Sequence, residues 1–502
     1  MPETIHLFWP GDYRPHPNNL AMPMIEATTA RMEAALDRLN VRHTRVPHVL
    51  SKPNAAITHL GPIDAPMIGI YSHWVYGPHT VDGVVGKDSP LLLASNFDGT
   101  WPGLVGLLNT AACLEMVDRK ASRIWTDADD WTADDRFMNQ LEEWVKTGAI
   151  AHDRSAIRPA PAVSPSASAT ADAVLAEFRA RRPLALMLGD TSMGMTNGYF
   201  GPRMLSKVGF SEHKVDQAWI IERGRKVTDE RIETAYKFVC DKGVTFHYGG
   251  DFTPDATREQ LRDYLAVLDM IEEFEADCLG WQYQLGLIGS RPPSDFNEGL
   301  FNSTCRPESN GDVITTATEA DQGNLLPQEM MKRLLKRKGL HQAVFFHDIR
   351  WGAEHDGQFL WVLLNSGSSG AYAFNHNPDT LEGVHSYRQP AAYFPIPGGT
   401  FAGVSKAGAI TWARAYLQDG ELWMDIGTGH VVELPDDVCE VWWQGTTREW
   451  PFMAADLGIG RDTLMAHYMS NHIAVAYGDI FEEMVALSRA MNFKVRILKD
   501  GN

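Results

Sequence analysis

Two apolar, β-favouring runs each end in a carboxylate, and one helix-like segment, Leu325 to Lys338, joins them. The first run is Thr315-Thr316-Ala317-Thr318-Glu319-Ala320-Asp321. The second is Val344-Phe345-Phe346-His347-Asp348-Ile349-Arg350. This order predicts a strand, a helix and a strand, with an acid at the C-terminal tip of each strand. Open α/β sheets form their sites outside such tips. Two acids there can share a divalent cation, or move protons between adjacent carbons of a substrate. They can equally cap helices or pair with Arg350, and spacing alone does not choose between these roles.

A third segment adds an imidazole. In His467-Tyr468-Met469-Ser470-Asn471-His472-Ile473-Ala474-Val475, a polar Asn-His pair stands just before an apolar run. Two carboxylates and one imidazole make a donor set for Mn²⁺ or a similar ion, with positions left open to sugar oxygens. A histidine at such a place can also be a structural hydrogen-bonder.

The rest of the chain predicts the frame. Ile5–Trp9, Met67–Tyr71 and Leu91–Ser95 read as short strands. Met24–Leu39 and Asp134–Thr147 read as helices, and Trp101-Pro102 opens another, with proline at a tolerated first-turn position. Alternation of this kind predicts a doubly wound parallel sheet. The Pro-, Ala- and Ser-rich stretch 157–168 reads as a linker or surface loop. Leu184–Gly189 then starts a second α/β unit, and Arg258 to about Ile288 reads as a long helical region. After Gln342 the texture becomes mainly β, with Phe359–Leu364, Ile410–Leu417 and Val441–Trp443 as strand-like runs. The expected architecture is α/β: two doubly wound parallel-sheet domains, 1–156 and 157–340, followed by a mainly β C-terminal domain, 341–502. Glu319 falls in the second domain, Asp348 and His472 in the third.

Composition excludes some partners. Of 502 residues, 45 are Lys or Arg and 64 are Asp or Glu, a net charge of −19. No basic stripe is available for nucleic acid or for an anionic membrane surface. The five cysteines are scattered and none form a Cys-x-x-Cys pair, which argues against a disulfide framework. The first residues lack a basic segment followed by a long apolar run, and no apolar run approaches a membrane span. The expected setting is cytoplasmic. The Gly-rich stretch 397–403 follows no strand-to-helix pattern, so a dinucleotide fingerprint is not expected. Asp127-Ala128-Asp129-Asp130 lacks the glycine and distal Glu of a calcium loop and is expected to cap the next helix.

The three acid and imidazole segments, in this order, resemble the L-fucose isomerase family of metal-dependent aldose–ketose isomerases. Ser72-His73-Trp74-Val75-Tyr76-Gly77, Leu188-Gly189-Asp190-Thr191-Ser192-Met193-Gly194-Met195 and Leu364-Asn365-Ser366-Gly367-Ser368 also resemble family segments. The resemblance implies a ketol-isomerase acting on a free sugar through an enediolate. Glu319 and Asp348 would be both acid–base pair and metal ligands, and His472 the third ligand. Asn471, Trp74, Tyr76 and Trp450 would lie at the substrate, with Ser366 and Arg14 as further sugar contacts. A homo-oligomer is implied, with a hexamer as one form, in which the first domain of one subunit reaches the metal site of another. Gly11-Asp12-Tyr13-Arg14 departs from the family pattern, with Arg14 the only anchor. The sugar therefore stays open among deoxy-, pento- and C6-substituted aldoses. A sugar epimerase or aldolase on the same metal site, or a non-catalytic sugar-binding protein, are the alternatives.

Overall fold

The computed structural model describes residues 4–99, 101, 103–445 and 447–501. Pro102 lies outside them. Among the described residues three larger sheets organise the chain, beside a two-stranded pair of Thr245–Phe246 with His385–Ser386.

The first sheet has five parallel strands. In spatial order they are His43–Leu50, Ile5–Pro10, Met67–Tyr71, Leu91–Asn96 and Ser122–Thr126. Met67–Tyr71 and Leu91–Asn96 are buried along their whole length, as expected of strands covered by helices on both faces. The strand order reverses between Ile5–Pro10 and Met67–Tyr71. Doubly wound sheets bind ligands at such a switch point. Two chain segments emerge there: the turn leading to Arg14, and Ser72 to Tyr76.

The second sheet has four parallel strands in the order Thr315–Thr318, Cys278–Trp281, Leu184–Leu188 and Ser211–Val215. The third is antiparallel and closes on itself. Its ring runs Gly408–Gln418, His472–Tyr477, Val344–His355, Gln358–Leu364, Met453–Asp456, Glu421–Val431 and back to Gly408–Gln418. Closure leaves the ring without free edges. Lys494–Leu498 pairs with Glu421–Val431 outside the ring, and Ile157–Pro159 pairs with Lys494–Leu498. Among the described residues no helix is long and apolar enough to cross a membrane.

Four expectations are corrected. The two acid-tipped strands belong to different sheets, and Asp348 stands inside a long strand rather than at its tip, because Val344–His355 continues beyond it. The stretch 157–168 is a loop only at 160–164. It contributes the strand Ile157–Pro159 and the first turn of the helix Pro165–Ala180. Ser164 caps that helix through Ala167 N, and proline fits its first turn, so the same composition that marks loops serves here as a helix start. The helical region from Arg258 ends at Glu273, and Cys278–Trp281 is a strand. Val441–Trp443 lies in the helix Asp436–Gln444, whose first turn carries Asp436 and Asp437 after Pro435. Short apolar runs do not distinguish strand from helix, and acids near a helix start favour the helix.

Candidate active site

The three sheets meet around one cleft of about 500 Å³. Each wall comes from strand ends or from the closed sheet. Arg14, His73 and Trp74 come from the switch point of the first sheet. Met193, Gln284 and Glu319 follow the C-terminal ends of three parallel strands of the second. Asp348, Ser366, Trp450 and His472 come from the antiparallel sheet and its loops.

Glu319 follows Thr315–Thr318 directly. It and Ala320 both take left-handed backbone conformations, φ 58° and 53°. Each costs about 1–2 kcal/mol for a residue with a Cβ. Neighbouring strand ends hold the turn: Ser192 N donates to Glu319 O at 3.0 Å, and Ala320 N to Trp281 O at 3.1 Å. The helix Gln322–Arg337 is capped by Asp321, whose Oδ1 accepts from Gly323 N at 2.8 Å. Capping is thus done by Asp321, and the Glu319 carboxylate is left to line the cleft.

Asp348 and His472 are register partners on adjacent antiparallel strands. His472 Nε2 stands 2.8 Å from Asp348 Oδ1 and 3.4 Å from Glu319 Oε2, while Nδ1 stands 2.7 Å from Asp321 Oδ2. Asp321 Oδ2 is shared with the Arg414 guanidinium, and Arg414 also donates to Asn324 Oδ1 at 3.0 Å. Asp321 and Arg414 are both fully buried. Cation, carboxylate and imidazole therefore run in a line from the interior to the two cleft acids.

The electrostatics follow from that line. Burial opposes a charged His472, but Asp348 and Asp321 overcome it and raise the imidazole to about 9. Burial pushes the Glu319 carboxyl up to about 8; Asp348, Asp321 and Glu298 add to this while His472 opposes it. Burial also pushes Asp321 upward, yet Arg414 and His472 win and hold it well below the usual carboxylate range. Behind the cleft, Asp295 and Glu298 are fully enclosed. Burial raises Asp295 well above its ordinary value, with Glu298 adding to the effect, and burial lifts Glu298 to about 7.

On the other walls, Arg14 grips Asp12 through two nitrogens, at 2.9 and 2.7 Å, and donates to Gln284 Oε1 at 2.7 Å. That last bond joins the first sheet's wall to the second's. Arg350 stands 3.7 Å from Asp348 Oδ2 and stacks over Trp450 at 5.2 Å, so the expected Arg350 pairing is present but loose.

Of the residues expected at the site, Glu319, Asp348, His472, Arg14, Trp74, Ser366 and Trp450 line the cleft. Tyr76 and Asn471 are not among the described lining residues. Tyr76 is buried, stacked on His79 at 5.1 Å, and faces Gly194, where a Cβ would come within 2.6 Å of its own. Asn471 is fully buried behind Asp348, with Nδ2 3.3 Å from its Oδ1. The resemblance implies that the first domain of one subunit reaches the metal site of another; within the single chain Arg14 and Trp74 line this cleft. Sequence missed Gln284 because the strand before it had read as helix. It also missed Asp321 and Arg414, although Asp321 stands in the quoted motif.

Residues 363–499 match the family model described as the C-terminal domain of L-fucose isomerase. The match supports membership of the L-fucose isomerase family. Ser366, Trp450 and His472 fall within the matched residues; Glu319 and Asp348 precede them. The coarse function carried by the L-fucose isomerase match is that of a sugar isomerase. No curated protein matches the chain.

Proposed function

We propose that the chain is a metal-dependent aldose–ketose isomerase, with Glu319 and Asp348 as its acid–base pair. The observation that carries this reading is the convergence of Glu319, Asp348 and His472 at one end of the cleft, backed by Asp321 and Arg414.

The donor chemistry suits a divalent ion. Asp321 holds the proton on His472 Nδ1, which directs Nε2 at the two cleft carboxylates. Such an outer carboxylate commonly orients a ligating histidine. Two carboxylates and an imidazole are donor types that a divalent ion such as Mn²⁺ accepts. Among the described residues no three such side chains already stand as an open cage. Asp348 and Glu319 instead stand against His472 Nε2 at 2.8 and 3.4 Å, and release of the Nε2 proton would open that side of the ring to a cation. Glu319, Asp348 and His472 would hold Mn²⁺ or another divalent cation. When bound, the cation supplies positive charge beside the two substrate oxygens where negative charge develops.

The chain's own residues do the rest. Trp74 and Trp450 offer flat apolar faces to the sugar, Arg14 offers donors to its hydroxyls, and the Ser366 hydroxyl oxygen offers an acceptor. One of the two carboxylates removes the proton from C2 of the aldose, and the other returns one to C1. Across the reaction O1 gains a proton and O2 loses one, so the aldehyde becomes a primary alcohol and the C2 carbinol a ketone. In the metal-free site burial raises the Glu319 carboxyl, so it takes up a proton more readily than an exposed carboxylate does.

The deciding experiment is a panel of free aldoses with added Mn²⁺, scored by ketose formation. Turnover is expected for at least one deoxy- or pento-aldose, lost on chelation and restored by Mn²⁺. Glu319→Gln is expected to lose about 10²–10⁴-fold in kcat. Full turnover in metal-free protein rejects the metal. Retro-aldol fragments, or an inverted aldose without ketose, reject the isomerase in favour of an aldolase or epimerase.

A further inference from the structure

Gln389 is fully buried, one layer behind the cleft. Its side chain joins two cleft residues from distant parts of the chain. Oε1 accepts from Trp450 Nε1 at 2.8 Å, and Nε2 donates to the Ser366 backbone oxygen at 3.0 Å. Both partners are one-way, since an indole N–H only donates and a carbonyl only accepts. The amide orientation is therefore fixed. Glutamate could serve the indole but would turn an acceptor on the carbonyl; methionine offers the indole only a weak sulfur acceptor and the carbonyl nothing.

The surroundings make this bridge rigid. Gln389 N donates to Gly398 O at 3.0 Å. The Trp450 ring is covered by Arg350, and its backbone oxygen accepts from Trp443 Nε1 at 2.7 Å. Ser366 Oγ donates to Asn365 Oδ1 at 3.2 Å. Pro390, Tyr393 and Phe394, just after Gln389, line the same cleft. One amide thus ties together the loop after Gln358–Leu364, the segment 389–394 and the Trp450 loop.

We propose that Gln389 is a positioning residue that sets the width of the substrate end of the cleft, by holding Trp450 and Ser366 in one fixed relation. It acts on substrate affinity and selectivity rather than on the proton transfer, because its two partners are the proposed sugar contacts and not the acids. The proposal rests on the cleft being a sugar site. Groups that hold contacting residues in place are as much a part of recognition as the contacts themselves.

The test uses the full chain and the conservative variant Gln389→Met, with fucitol and ribitol as stable open-chain probes. KM for the turned-over aldose, and Kd for the tighter alditol, are expected to rise about tenfold, with kcat within about twofold. In ¹⁵N-tryptophan-labelled protein the Trp450 indole signal, identified by its loss in Trp450→Phe, is expected to move upfield. In a Trp450→Phe background Gln389→Met is expected to change KM much less, because the shared bond is already gone. If Gln389→Met does not fold, Gln389→Leu, which can make neither bond, is put through the same measurements with the same expectation. KM and Kd unchanged within about twofold, or fully additive effects in the double variant, overturn the proposal. So does an equal loss in kcat and kcat/KM with KM unaltered. A wild-type chain that binds neither alditol and turns over no aldose rejects the proposed function itself. A competent wild type matched by Gln389→Met rejects only the role of Gln389.

Discussion

His472 and Asp348 face each other as one register pair of two antiparallel strands, and their side chains meet at 2.8 Å. Sheet geometry, rather than a loop, sets that distance. Opposed Cβ atoms in such a pair lie about 4.5–5.5 Å apart, which leaves little room for drift. Glu319 is brought to the same point from another sheet, by a turn in which two residues take left-handed conformations.

At pH 7 both His472, at about 9, and Glu319, at about 8, hold protons. Metal ligation needs both released. Mn²⁺ affinity is therefore expected to rise with pH from acid into weakly alkaline solution and then to level off. Calorimetry in two buffers of different ionisation enthalpy should show net proton release on binding at pH 7. A pH-independent affinity from 6 to 9 contradicts this.

Asp321→Asn keeps the shape but weakens the acceptor on His472 Nδ1. Loss of such an outer carboxylate typically costs about 10–100-fold in metal affinity. Mn²⁺ binding followed by electron paramagnetic resonance should show that loss, with far-ultraviolet circular dichroism unchanged. Wild-type affinity would remove Asp321 from the orienting role.

Arg414→Met leaves Asp321 buried without its cation. Breaking a buried pair from one side costs about 3–5 kcal/mol. A lower urea midpoint for the unfolding step of the antiparallel sheet is expected, and a loss below about 1 kcal/mol would show that His472 alone suffices to hold Asp321.

Arg14 and Trp74 line the cleft of their own chain. Mixing Trp74→Ala with Glu319→Gln under conditions of verified subunit exchange should restore no activity beyond that of the separate variants. Partial recovery would mean that a neighbouring subunit completes the site.

Much of the frame was legible in the sequence, and for a physical reason. Met67–Tyr71 and Leu91–Asn96 are buried on both faces, so each reads as an unbroken apolar run. Cys278–Trp281 was not legible. It has only four residues and follows an amphipathic helix that ends at Glu273, so its apolar character merged with the helical pattern. The cleft acids and His472 stood out as polar residues at the ends of apolar runs. Arg414 did not, because it lies inside Gly408–Gln418 and reads as the polar member of an ordinary strand. Its partner across the fold is Asp321, a pairing that local pattern cannot reveal. Nor could the sequence show that Thr315–Thr318 and Val344–His355 join different sheets, since strand partnership is a long-range property.

The pairing of Ile157–Pro159 with Lys494–Leu498 bears on the order in which the protein can be made. The next turn of chain repeats the tie, since Ser164 N donates to Glu482 Oε2 at 3.0 Å. During synthesis the first sheet has all its strands once Thr126 has left the ribosome, and units of this kind fold as they emerge. The strand 157–159 must wait for a partner made more than three hundred residues later. His472 reaches Asp348 only in the same late interval. A nascent chain therefore carries a finished scaffold well before it carries any chemistry, and its reactive centre is among the last parts to assemble.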